Sequence, residues 1–171
     1  MTTTNINPAH RLSGEETETW RNLSSFRLGL PAQLDTRLRR RAGISHHDFC
    51  ALHHVATAER RPVRMSELAT TADMSLSHLS RVVTRLEKRG LARRLPDPHD
   101  GRTTLVDLTR TGWSLYEENV PAHIAEIRRL VFDNLTPEES RALGSALRKM
   151  AASVRDADGA HECAGDTAEA V

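Results

Sequence analysis

The sequence predicts a mainly α-helical domain carrying one small β-hairpin, and three observations predict it. Three helix starts place an N-cap hydroxyl three residues before a carboxylate: Ser13-Gly-Glu-Glu16, Ser45-His-His-Asp48 and Thr136-Pro-Glu-Glu139. From Ser75 to Gly90, apolar residues recur at helical spacing. Beyond Gly90 the pattern changes to short strand-like runs on either side of a loop rich in Pro, Asp and Gly. At 171 residues the chain is sized for one domain and is too short for an enzyme domain beside a second reader domain.

The first helix, opened by Ser13, should turn Trp20, Leu23, Phe26, Leu30, Leu34 and Leu38 towards the core. Pro31 should kink it, and Gly43 ends the approach to the next cap. The second helix, opened by Ser45, carries Phe49, Leu52, Val55 and Ala56. After Arg61-Pro62, an extended piece from Val63 to Met65 leads into a compact helix from Ser66 to about Ala72, with Leu68, Ala69 and Ala72 inward. Asp73-Met74 make a turn. Ser75 then caps a longer helix whose Leu76, Leu79, Val82, Val83 and Leu86 form one buried stripe ending at Gly90. The pair has helix-turn-helix proportions. Leu91–Leu95 and Thr104–Leu108 read as a hairpin around a long tip, Pro96–Thr103. Two helices close the fold, one from about Thr111 to Asn134 interrupted at Pro121, the other from Pro137 to about Val154. Pro137 suits the first helical position.

Composition narrows the function. With 38% hydrophobic and 27% charged residues the chain can bury a core. No apolar run approaches the ~20 residues needed to span a bilayer. Met1 leads into polar Thr and Asn without an apolar stretch, so no secretory signal is expected and the expected location is the cytoplasm. Cys50 and Cys163 lie far apart, unlike the dense spacing of a secreted disulfide scaffold, and both should be reduced. There is no Gly-rich phosphate loop, no Gly-x-Ser-x-Gly and no convincing triad, so neither an enzyme nor a cofactor is expected.

The formal net charge of +1 hides an asymmetry. Ser75 to Arg102 holds seven basic residues (Arg81, Arg85, Lys88, Arg89, Arg93, Arg94, Arg102) against Glu87, Asp97 and Asp100, a net +4. A basic segment inside a periodic apolar pattern reads either as a solvated face or as a surface that meets phosphates. From Asp156 to Val171 there are five acidic residues and no Lys or Arg. That end reads as a disordered acidic tail.

The residues Met65-Ser-Glu-Leu-Ala69, Ser77-His-Leu-Ser-Arg-Val-Val-Thr-Arg-Leu-Glu-Lys-Arg-Gly90 and Asp97-Pro-His-Asp-Gly-Arg102 resemble the MarR family of winged helix-turn-helix regulators. The last run is similar to that family's wing signature, and Leu108-Thr-Arg-Thr-Gly112 follows as in the family. The resemblance covers roughly residues 13–154. It implies a MarR-type domain over 13–154, with a DNA-binding lobe at about 62–108 and a dimerisation lobe of 13–41 plus 110–154. Residues 1–12 and 155–171 would flank it as a disordered N-terminus and the acidic tail. It further implies a homodimer with interlocked terminal helices, a palindromic double-stranded operator, and repression relieved by a small effector of aromatic or phenolic type.

Burying Leu79, Val82, Val83 and Leu86 leaves Ser77, His78, Ser80, Arg81, Thr84 and Arg85 on the opposite face. Residues near the start of a reader helix reach base edges, while later cations meet phosphates. Ser77, His78 and Arg81 are therefore expected to read bases, Arg81 through a bidentate pair to guanine. The competing reading pairs Arg81 with Glu87 or confines it to phosphate. Ser66, Ser75, Lys88 and Arg94 join the DNA-facing set. In the wing, Arg102 should enter a minor groove, beside Thr103, with Asp100 and also Asp97 holding the tip by pairing with an arginine.

His46, His47, Cys50, His53 and His54 share one arc of the second helix, opposite Phe49, Leu52 and Val55. Such residues suit zinc, yet no acidic or Cys partner can be assigned from elsewhere, so no metal is expected and a metal-responsive regulator stands as the alternative. Redox sensing at Cys50 is a further alternative, although the family's peroxide sensors carry their cysteine in the first helix, where this chain has none. A non-specific nucleoid-type DNA binder would share the fold. For an effector pocket, Trp20, Phe26, His46, His47 and Cys50 are the candidates.

Overall fold

All three capping boxes form. Helix α1 spans Gly14–Ala42, where Ser13 Oγ accepts from the Glu16 amide at 3.1 Å and the Glu16 carboxylate accepts from the Ser13 amide at 2.7 Å. Ser45 and Asp48 repeat this exchange at the start of α2, His46–Thr57, and Thr136 and Glu139 repeat it at the start of α6, Pro137–Gly165. Between them run β1 (Val63–Arg64), α3 (Met65–Thr71), α4 (Leu76–Lys88), β2 (Ala92–Pro96), β3 (Thr104–Leu108) and α5 (Arg110–Leu130). A 3-10 turn, Phe132–Asn134, follows α5. The computed structural model describes residues 11–165, with side chains through residue 154.

The strands form an antiparallel sheet in the order β1-β3-β2, with Val63 opposite Val106 and Leu95 opposite Leu105. The hairpin is thus the expected wing, with β1 added on the far side of β3. The chain divides into a unit ending at Glu126 and a second beginning at Ile127. In the first, Leu79, Val82, Val83 and Leu86 of α4 pack with Ile44, Phe49, Leu52, Val55, Leu68 and Val106. Each such buried side chain contributes roughly 1.5–3 kcal/mol of transfer free energy.

Two glycines shape the joint around the hairpin. Gly90 adopts a φ of +67° and ends α4 while the Leu91 amide returns to the Leu86 carbonyl at 2.9 Å. Gly112 lies so close to β2's approach that a Cβ there would sit 1.9 Å from the Leu91 carbonyl oxygen. Thr109 fastens the same contact, donating its hydroxyl to the Gly90 carbonyl at 2.6 Å and accepting from the Gly112 amide at 3.1 Å.

Several expectations need correction. Trp20 (61% exposed) and Phe26 (47%) do not enter the core of the first unit, because the N-terminal half of α1 has nothing there to pack against; Leu23 and Leu30 are half-buried. Leu76 does not belong to the buried stripe: in the first turn of α4 it is 54% exposed. Pro121 does not interrupt α5, and α1 runs on through Pro31. Both prolines are exposed, as are Arg27 and Glu117, so the carbonyls left without an amide partner face water. Helix α6 continues to Gly165 rather than ending near Val154, in keeping with the helix formers Arg155, Ala157, Ala160, Glu162 and Ala164. The expected disordered stretches fall at 1–10 and 166–171 outside the described residues, and the side chains of 155–165 likewise. No described helix is long and apolar enough to cross a membrane.

Candidate nucleic-acid interface

The helix-turn-helix closes through Asp73, at a φ of +50°, and the Met74 amide, which donates to the Ala69 carbonyl at 2.9 Å. Ser75 caps α4 by accepting from the His78 amide at 3.2 Å and sits 3.2 Å from the Ser77 hydroxyl. Ser77, Arg81, Thr84, Arg85 and Lys88 are exposed, and His78 and Ser80 half-buried, on the face away from the core. A single cleft of about 350 Å³ runs between α3, α4 and the wing, lined by Met65, Ser66, Leu76, Ser80, Arg94, Arg102, Thr103 and Thr104. Reader helix and wing therefore open onto one surface.

The cations on that surface differ in what already holds them. Glu87 is paired with Arg94, not with Arg81, and Arg81 makes no ion pair among the described residues. Arg94 donates also to the Ser80 carbonyl at 2.8 Å and to the Thr84 hydroxyl at 3.1 Å. Its guanidinium ties β2 to α4 and is occupied within the fold. The Thr84 hydroxyl also donates to the Ser80 carbonyl at 2.9 Å. Arg85 reaches back to Asp48 of α2 at 2.7 and 3.1 Å, joining the reader helix to the buried capping box that starts α2. Lys88 has no ion pair among the described residues.

The wing is braced differently from the arginine pairing expected of Asp100. Asp100 accepts from the Thr103 hydroxyl at 2.7 Å and the Arg102 amide at 3.0 Å, bonds that lower its pKa below the usual carboxylate value. Asp97, nearly buried, accepts from the His99 amide at 2.9 Å and pairs with Arg64 of β1 at 3.3 Å. The Arg102 guanidinium is left exposed at the tip without an ion-pair partner among the described residues. Arg64 was missed by sequence reasoning; its place beside the wing depends on β1 pairing with β3, which no local pattern announces.

The five pocket candidates are not brought together. His46 and Cys50 touch, with Nε2 and Sγ 3.5 Å apart; His47 packs its ring against His78 of α4 at 4.7 Å; Trp20 and Phe26 lie out on α1. His53 Nδ1 is 3.0 Å from the Tyr116 hydroxyl, and His54 meets His53 edge-on at 5.4 Å. Among the described residues no group of three or more His, Cys, Asp or Glu is placed to hold an ion. Burial pushes the Cys50 thiol up to about 11, which leaves little thiolate for oxidation at neutral pH. A narrow crevice instead lies between α1 and α5, lined by Leu34, Arg37, Leu38, Arg41, Asn119, Ala122, His123 and Glu126. At about 10 Å³ it has room for roughly one water. Sequence reasoning missed His123 and Asn119, although their spacing of seven and three residues from Tyr116, which places all three on one helix face, was a usable signal.

Residues 42–103 match the model of the MarR family. The chain is 38% identical to Sco3205, a MarR family transcriptional regulator from Streptomyces coelicolor solved in complex with DNA; the likeness covers 84% of this chain and 94% of that one, with a TM-score of 0.80. It is 32% identical to AbsC, a MarR family regulator from the same organism, over 86% of this chain and 99% of that one, with a TM-score of 0.81. Over 102 residues it is 30% identical to the transcriptional repressor NicR of Pseudomonas putida, covering 60% of this chain and 61% of NicR.

Proposed function

Because the chain belongs to the MarR family of DNA-binding transcriptional regulators, we propose that it is a sequence-specific repressor that binds a palindromic operator as a homodimer and is released by a small effector. The observation that carries the DNA-binding mode is a continuous surface: Arg102 of the wing lines the cleft between α3, α4 and the wing, Arg81 lines the neighbouring groove along α4, Ser80 lines both, and neither arginine has an ion-pair partner among the described residues. In this reading α4 enters the major groove, Ser77 and Arg81 meet base edges, and Arg102 enters the neighbouring minor groove. Arg85 and Lys88 meet phosphates. Arg94, bonded to Glu87, the Ser80 carbonyl and the Thr84 hydroxyl, braces that face of α4 from β2. The dimer reading is supported by the uncovered Trp20, Phe26 and Leu28 on α1 and by Leu143, Leu147, Met150 and Val154 at helical spacing on α6. Repression is supported by the likeness to NicR.

Selection of duplexes from a random-sequence library by the purified protein tests the proposal. It should enrich a pseudo-palindrome whose half-site centres lie about one DNA turn (~10 bp) apart. Recovery of unenriched sequence would instead mark a non-specific DNA binder.

A further inference from the structure

The start of the reader helix is accompanied by a side chain from outside the helix-turn-helix. His47, exposed in the first turn of α2, sets its ring 4.7 Å from that of His78, third residue of α4, with the planes tilted by 58°. The groups around this pair are almost all cationic or titratable to cations. From α4 come Arg81 and Arg85, whose charges act on His78, and from α2 comes His46, 6.3 Å from His47. Two carboxylates lie at this end of α2, and both are engaged: Asp48 takes both Arg85 nitrogens on one oxygen and the Ser45 amide on the other, and Asp35 of α1 takes the His46 amide and Arg39. Neither imidazole has a carboxylate bonded to it among the described residues.

Such a pair is starved of counter-charge in the free protein and would receive it from a nucleic-acid backbone. We propose that His47 is a DNA-contacting residue which, with His78, forms a proton-linked phosphate clamp, so that DNA binding takes up protons and tightens as pH falls. This rests on the reading of α4 as the reader helix. In the free chain, burial and then the charges of His47, Arg81 and Arg85 hold the His78 pKa below the ordinary histidine value. A phosphate lodged against the pair reverses the sign of the local field, raising the proton affinity of the bound state. By linkage, affinity then rises as pH falls through the interval between the free and bound pKa values, with a slope equal to the protons taken up. A protonated imidazole donates from both ring nitrogens, so it can bridge to its neighbour and to a phosphate oxygen together.

The test measures the dissociation constant for a fluorescent duplex selected from a random library, and for a mixed-sequence duplex, between pH 8 and pH 6 at fixed salt. Wild-type affinity should rise about tenfold or more over that range, corresponding to roughly one proton or more per dimer across the titrating interval. His47→Gln, at an exposed position, and His78→Gln should each remove most of the slope, whereas His54→Gln, at the other end of α2, should keep it. Affinity that does not change with pH, or a slope retained in both His47→Gln and His78→Gln, overturns the clamp alone. Failure to bind either duplex at low salt overturns the reader-helix assignment, and the clamp with it.

Discussion

His123 and Gly112 show how single residues tie sequence to stability here. The His123 ring packs 4.4 Å from Phe49 and 5.9 Å from His46, and burial, followed by the charges of His46 and His53, holds its imidazole down at about 4. An unfolded histidine titrates near ~6.5. Between those values the unfolded chain binds a proton that the folded chain refuses, so the stability from neutral His123 is complete above ~6.5 and is lost as pH falls through about 4. The melting temperature should therefore fall on acidification through that window. His123→Gln should flatten the fall; an unchanged profile would show that other groups govern acid stability. Gly112→Ala addresses packing, since its new methyl would meet the Leu91 carbonyl at 1.9 Å. Overpacking against backbone that cannot turn aside should cost at least ~2 kcal/mol in chemical denaturation, and a neutral result would mean that the joint between α4 and α5 is looser than described.

At the scale of elements, what was legible in the sequence was what is local. The capping boxes at Ser13, Ser45 and Thr136 exchange bonds between residues three apart, so the spacing alone announces them. The α4 stripe of Leu79, Val82, Val83 and Leu86 and the turn at Gly90 were legible for the same reason. Periodicity identifies an apolar face but not what covers it, which is why the spacing of Trp20 and Phe26 points to a core they do not enter. Charge was equally ambiguous. Arg94 and Arg81 look alike in a basic run, yet Arg94 is matched by Glu87 across the α4–β2 joint and Arg81 is not. The C-terminal stretch makes an element-scale prediction from composition: with five acidic residues, no Lys or Arg and few large apolar side chains from Asp156 onward, it offers little to bury. Removing residues 156–171 should move the melting temperature by less than ~2 °C, and a larger fall would assign that segment a structural role.

For the whole molecule, the uncovered apolar residues of α1 and α6 call for a second copy of the chain. Sedimentation at micromolar concentration without DNA should find a dimer; a monomer would contradict the proposed assembly. Specificity should then come from two copies of one surface, with the reader helices supplying base identity and the wings supplying groove shape. The minor groove presents a degenerate pattern of acceptors, so Arg102 can respond to its width but scarcely to its sequence. Arg81 lies about one turn into α4, where a bidentate pair to guanine discriminates by ~1–3 kcal/mol. The most direct measurement compares Arg81→Ala and Arg102→Ala with the wild type against one library of operator variants at a fixed salt concentration. The account predicts that Arg102→Ala weakens binding to every variant alike, while Arg81→Ala also loses its preference at one position in each half-site. A uniform loss for Arg81→Ala, together with a changed major-groove preference for Arg102→Ala, would contradict it.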